Sequence, residues 1–414
     1  MSISHSYQSY PHDIQVIELA TVTMLHAICA VLFNNDKPDP KVLKLINLPT
    51  VLEVTLENMR KPISTYYMMN HAIPLLTSST LHCPEICHNY PPILKFPAAC
   101  LHSKDLTVCY TAMGGLIRLH HHEAKPERVF HDPQKLIDQV LKGFPDHIAD
   151  IMMDYGLIQC NTYATLQATH DFQKAMMAVV QDHDLLTLGR TLAELIVRTE
   201  FSIAKGSFEA EDPRTGKREA FNTSLPFTLW TESLPVCASK LRQTGQASDV
   251  DLADILQIKF FIIWQNILDA VVKAKAAIDR NLDIAYWYYT ISLGANDEDG
   301  LRFAKKGLQC KHITNFLKFA MLYRAVEHAG SLAVTKLQEA SQGDKTWEEG
   351  YAFLTSALDD AKEFIQRAPP DSRHLQNMLN WYIILTITYK GPEISVQLDE
   401  LQVGTIFSAF IRQW

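Results

Sequence analysis

Residues 248–281, SDVDLADILQIKFFIIWQNILDAVVKAKAAIDRN, run without a Gly or a Pro. A stretch so long and so apolar exceeds what one strand accommodates and has the continuity of a helix. Ser248 is placed to cap its start. Lys259, Gln265, Asn266 and Asp269 interrupt its most apolar part, which is too short and too polar to span a bilayer. Glycine is scarce throughout, 16 in 414 residues. That scarcity argues against α/β nucleotide-binding folds, whose phosphate loops need Gly where backbone approaches ligand.

The helical pattern recurs along the chain. Residues 13–33 are apolar on all sides, as in a buried helix, with Asp13 as cap. LPTVLEVTLENMRK and STYYMMNHAIPLL read as two shorter helices. DPQKLIDQVLKGF begins with Asp and Pro and reaches Gly143. Helices are expected at about 161–180 and 183–204, and four more between 297 and 388. The segment 77–132 differs. It holds Pro84, Pro91, Pro92 and Pro97 and the pair Gly114-Gly115, and reads as a loop-rich insertion with LTVCYTAM as a strand. WYIILTITYKG is a second candidate strand. The expected class is mainly α, a large helical body with a loop-rich or minor β insertion near 77–132. The organisation reads as a helical part with an N-terminal arm (1–76), a Cys/His-containing insertion (77–132), a helical part (133–204), an exposed loop (205–227), and a C-terminal helical part with an aromatic tail (228–414).

The formal net charge is −8, and the basic clusters are short: Arg60-Lys61, Lys273 with Lys275, and Lys305-Lys306. Binding duplex RNA or DNA through phosphates calls for a basic face, so only weak nucleic-acid contact is expected. The first twenty residues lack a basic region followed by an apolar run, so no secretion leader is expected. The eight cysteines should then be thiols in a reducing compartment.

Four constellations invite a chemical reading. HCPEICH places His82, Cys83, Cys87 and His88 together, and Cys100, His102, Cys109 and His120 to His122 follow. Thiolate and imidazole suit zinc, but structural zinc sites favour Cys-x2-Cys, and no second matched pair follows. No metal is expected. Asp359, Asp360 and Glu363, with Asn266 and Asp269, echo the helical carboxylates that hold magnesium diphosphate in terpene synthases. Their order along the chain is reversed and Lys362 intrudes, so a solvated helix face is expected. GANDEDGLRFAKK fails as a calcium loop: registered on Asp297, Asp299 and Gly300, its first position is Ala295 and its twelfth Lys306. It should instead form an acidic helix start. The run Tyr286, Trp287, Tyr288, Tyr289 is expected in the core or at a subunit contact. Nucleophile elbows and phosphate loops are missing from the sequence, and neither catalytic residues nor a cofactor are expected.

A large helical body, mild acidity and aromatic ends (SHSYQSY and IFSAFIRQW) resemble the coat proteins of small double-stranded RNA viruses of the partitivirus type. The resemblance implies a self-assembling capsid subunit in virions and host cytoplasm. It implies a shell of coat-protein dimers around duplex RNA that the subunit contacts only weakly, without a membrane. Tyr7 and Tyr10 at one end and Phe407, Phe410 and Trp414 at the other are the expected subunit contacts. The last three fall at i, i+3 and i+7, one face of a terminal helix. A second resemblance is local: DIAYWYYTISLGANDEDGLRFAKKGLQ and the helix pairs after it are similar to BRO1-type or tetratricopeptide scaffolds, which implies a cytosolic adaptor. A third reading is an α-helical enzyme with a concealed site.

Overall fold

The computed structural model describes residues 10, 12–32, 41, 45–62, 64–119, 142–203, 206–211, 218–220, 223–341 and 343–404. They form two units by contact, each considered by itself: 1–129 with 387–402, and 130–386 with 403–414. The chain is mainly helical, as its periodicity predicts.

In the first unit, α1 (Ile14–Leu32), α2 (Leu48–Arg60), α3 (Tyr66–Ser79), α4 (Pro84–Asn89), α5 (Pro91–Cys100) and α6 (Leu106–Leu119) follow one another. Asp13 caps α1 as expected, its Oδ1 accepting from Gln15 N at 3.0 Å and Val16 N at 3.2 Å. This helix is not buried on all sides. Ile17, Met24 and Ile28 enter the core beside Leu52, Leu56, Leu75 and Leu76, while Leu19 is 68% exposed. Over Ile14–Val31 it is long and apolar enough to cross a membrane by length and composition, and 33% of that window is buried.

The expected loop-rich or β insertion is corrected here. Residues 84–119 build three helices, and LTVCYTAM lies inside α6. Pro84 opens α4, and Pro91 and Pro92 open α5, where the missing N–H is tolerated. Gly115 is a contact residue rather than a breaker. A Cβ there would lie 2.4 Å from Thr77 Cβ, so glycine lets α6 lie directly on α3.

The second unit contains α7 (Asp146–Tyr155), α8 (Asn161–Asp182), α9 (Leu185–Arg198), α10 (Ser233–Gln243), α11 (Ala247–Ile263), α12 (Ile267–Ile278), α13 (Ala285–Gly294), α14 (Asp297–Gly307), α15 (Asn315–Glu339), α16 (Lys345–Arg367) and α17 (Leu375–Lys390), of which residues 387–390 belong to the first unit. From α8 to α16 each helix packs on the next in the chain. The four helices expected between 297 and 388 are α14 to α17, so WYIILTITYKG is helix and not strand. Within 205–227 a short antiparallel pair forms, β1 (Glu209–Glu211) with β2 (Arg218–Ala220), in register Glu209 to Ala220.

The core of this unit gathers Phe172, Leu192, Leu241, Leu256, Trp287 and Met321. Charge is also buried in it. Asp254 on α11, 1% exposed, receives Arg242 of α10 at 2.8 Å, Lys273 of α12 at 3.1 Å, and Arg280. Burial pushes its pKa up, but the three cations outweigh that and hold the carboxyl below its ordinary value. Arg190 of α9 grips Asp249 through two bonds, at 3.1 and 2.9 Å. At the crossing of α15 and α17, Gly330 admits Trp381: a Cβ there would come within 2.5 Å of the indole.

Candidate functional site

The sequence-marked clusters resolve into packing and ion pairs. The Cys83 and Cys87 sulfurs are 4.0 Å apart, and Cys83 donates to Ser79 O at 2.9 Å. The bond to Cys87 and burial push the Cys83 thiol up; burial pushes Cys100 and Cys109 up to about 11. His88 Nδ1 is 2.8 Å from the Pro84 carbonyl within its own helix. Among the described residues no group of three or more His, Cys, Asp and Glu could hold a metal; His120 to His122 lie outside them. All eight cysteines are free thiols.

The helical carboxylates are separated in the same way. Asp360 pairs with Lys305, and Glu363 lies 3.2 Å from Lys318 and 3.4 Å from Arg367. Asn266 Nδ2 donates to Asp269 at 2.5 Å. In GANDEDG, Asn296 caps α14 through Asp299 N at 2.9 Å, Asp297 meets His328 Nδ1 at 2.8 Å, and acids fill the first turn. Tyr286, Trp287, Tyr288 and Tyr289 are buried in α13, so the aromatic run is core. Of the expected subunit contacts, Tyr10 is 57% exposed; Tyr7, Phe407, Phe410 and Trp414 lie outside the described residues.

A feature not foreseen lies where the long 248–281 helix was expected. The helix breaks at Trp264–Asn266, with Gln265 at φ 59° in the left-handed region. Asn266 N donates to Phe261 O at 2.8 Å, which closes the turn between α11 and α12. Ser248 is not the cap, because α11 begins at Ala247 with Gln246 before it. The break gives α12 two unlike faces. Ala270, Ala274 and Ala277, at i, i+4 and i+7, are wholly buried. These small side chains let α12 lie close to its neighbours; on α13, a Cβ on Gly294 would come within 2.9 Å of Ile267 Cγ2. The opposite face carries Leu268, 75% exposed, and Val272, 68% exposed, followed by exposed Ala276. Trp264, 61% exposed, stands at the corner before them. Asp269 and Lys275 flank this ridge and are exposed.

Such an arrangement can bind a complementary apolar surface. Burying Leu268, Val272 and Trp264 would remove from water side chains worth about 1.5–3 kcal/mol each. The sequence signal was available in the alanine spacing, with Leu268 and Val272 four apart on the other side of the same helix. The apolar run on all sides of 260–263 and the unmarked turn at 264–266 obscured it.

No protein-family model, curated protein or solved structure matches the chain.

Proposed function

We propose that this chain is a helical scaffold that works by holding macromolecular partners, with the α12 ridge as its docking face. The observation that carries the reading is a row of large apolar side chains left open on a helix whose other face is packed with alanine. Helices α8 to α16, each laid on its chain neighbour, give that ridge the firm backing that helical scaffolds supply to their binding surfaces. This agrees with the adaptor resemblance of residues 283–309. The test is a photo-crosslinking amino acid at position 268 of the full chain in its native cells, with position 298 on α14 as control. A discrete adduct at 268 and none at 298 supports the docking face. Equal labelling at the two positions overturns it.

A second reading is the self-assembling capsid subunit, enclosing duplex RNA in a virion. The same ridge favours it, because a shell needs apolar contacts that repeat from copy to copy. Electron microscopy of the pure protein tests it: closed particles of uniform size support a coat protein, and a soluble monomer at high concentration removes the reading.

A further inference from the structure

We propose that the occupant of the α12 ridge is a second copy of this chain, docked about a two-fold axis that runs along the ridge so that the two α12 helices point the same way. The inference rests on the reading of α12 as a docking face and names its partner.

Charge placement carries it. At 100° per residue, Asp269 lies about 60° to one side of Val272 and Lys275 about 60° to the other. Both are exposed. Asp269 accepts from Asn266 at 2.5 Å, and Lys275 has no ion pair among the described residues. A two-fold axis along the helices exchanges the flanks, so each Asp269 faces the partner's flank that carries Lys275. The two positions are six residues apart, roughly 9 Å along an uncrossed helix. Ridges of the i, i+4 kind cross at about −50°, and that tilt brings the two residues to nearly the same height. An axis across the helices, which would make them antiparallel, keeps each flank on its own side. It sets Asp269 beside Asp269 and Lys275 beside Lys275, so the charges select the parallel sense.

The apolar part accommodates the same axis. Val272 meets Val272 at the crossing, with Leu268 and Ala276 one turn to either side. The small Ala276 permits close approach at one end, and Leu268 supplies contact at the other. Asp279 lies past the end of α12, beyond seven residues of rise from Val272, where helices crossing at this angle have separated. Trp264 stands at the opposite end, exposed and able to cover the rim of the contact. The interface is isologous, each copy presenting the same patch.

The test is sedimentation equilibrium of the full chain between about 1 and 200 μM. A reversible dimer is expected, and Leu268→Glu with Val272→Glu should abolish it while the far-ultraviolet spectrum stays unchanged. The charge arm fixes the geometry. Asp269→Lys alone and Lys275→Asp alone should each weaken dimerisation by about five-fold, and the two together should restore it to within about two-fold. Antiparallel pairing would leave all three charge variants near the wild-type constant, and that pattern overturns the proposal. A monomer at 200 μM overturns it as well. An adduct at position 268 with a mass other than twice the chain would keep the docking face and sink the second copy as its occupant. Absence of any adduct would remove both.

Discussion

Asp254→Ala removes the carboxylate at the junction of α10, α11 and α12. The residue is 1% exposed, and three cations converge on it: Arg242 at 2.8 Å, Lys273 at 3.1 Å, and Arg280. Removing one side of a buried ion pair costs about 3–5 kcal/mol, because the remaining charge is left without compensation. Here the cations keep between 31% and 39% of their side chains exposed and can rehydrate, so the lower end applies, about 3 kcal/mol. For a cooperative unit of this size, 1 kcal/mol shifts the midpoint by about 2–4 °C, and the variant should melt about 6–12 °C lower. The pH dependence has a definite sign. The folded carboxyl is held below its ordinary value, so the unfolded chain binds its proton first as pH falls. The stabilisation is full above the ordinary Asp value of about 4 and is lost as pH drops through the folded pKa. Wild type and variant should therefore converge in strong acid. Urea denaturation and thermal melts followed by circular dichroism, at pH 7 and pH 3, measure both effects. A loss under 1 kcal/mol at pH 7, or an equal gap at both pH values, would refute the reasoning.

Gly330→Ala places a methyl 2.5 Å from the Trp381 ring and should cost about 1–3 kcal/mol, with Trp381→Leu relieving most of it; a calorimetric midpoint unchanged by the single substitution would contradict the crossing of α15 and α17. Lys259 is buried with its Nζ donating to Glu200 O at 2.6 Å, and burial pulls its pKa down. Lys259→Met should therefore be neutral or stabilising at pH 6, with its advantage shrinking toward pH 9 as the wild-type amine is relieved of its proton, read from paired urea midpoints. Burial holds the Cys237 thiol up at about 12, so a disulfide reagent should modify half-buried Cys29 first and reach all eight thiols only in denaturant. Rapid native modification of Cys237 would show that α10 opens.

Helix existence was legible because it rests on local periodicity, which is why α2, α3, α8 and α9 and the series α14 to α17 stand near their expected places. The errors came from residues whose local meaning depends on a neighbour. Pro84, Pro91 and Pro92 punctuate a sequence, and they do so equally well at the first turn of a helix. Gly115 looks like a breaker until Thr77 is seen against it. The turn at Gln265 carries no Gly or Pro, and a non-Gly residue in the left-handed region leaves little trace in a sequence. That turn decides which side of 267–278 is open, so the candidate docking face was hidden by the same three residues that misled the helix assignment. The carboxylates of the sequence-marked cluster lie in ion pairs within the fold, Asp360 with Lys305 and Glu363 with Lys318 and Arg367, which a spacing along the chain does not reveal.

From α8 to α16 every helix packs on the helix that follows it in the chain, and this has a consequence for synthesis. Most helix contacts in that series join chain neighbours and can form once the following helix has emerged, while those of α9 with α11 and α15 wait for the later helices. Loop-closure entropy is then spent in small steps, and folding of this stretch should be fast and vectorial, from α8 onward. The buried Asp254 would be met by Lys273 and Arg280 shortly after it leaves the ribosome, so its charge need not wait long in a collapsing core for company.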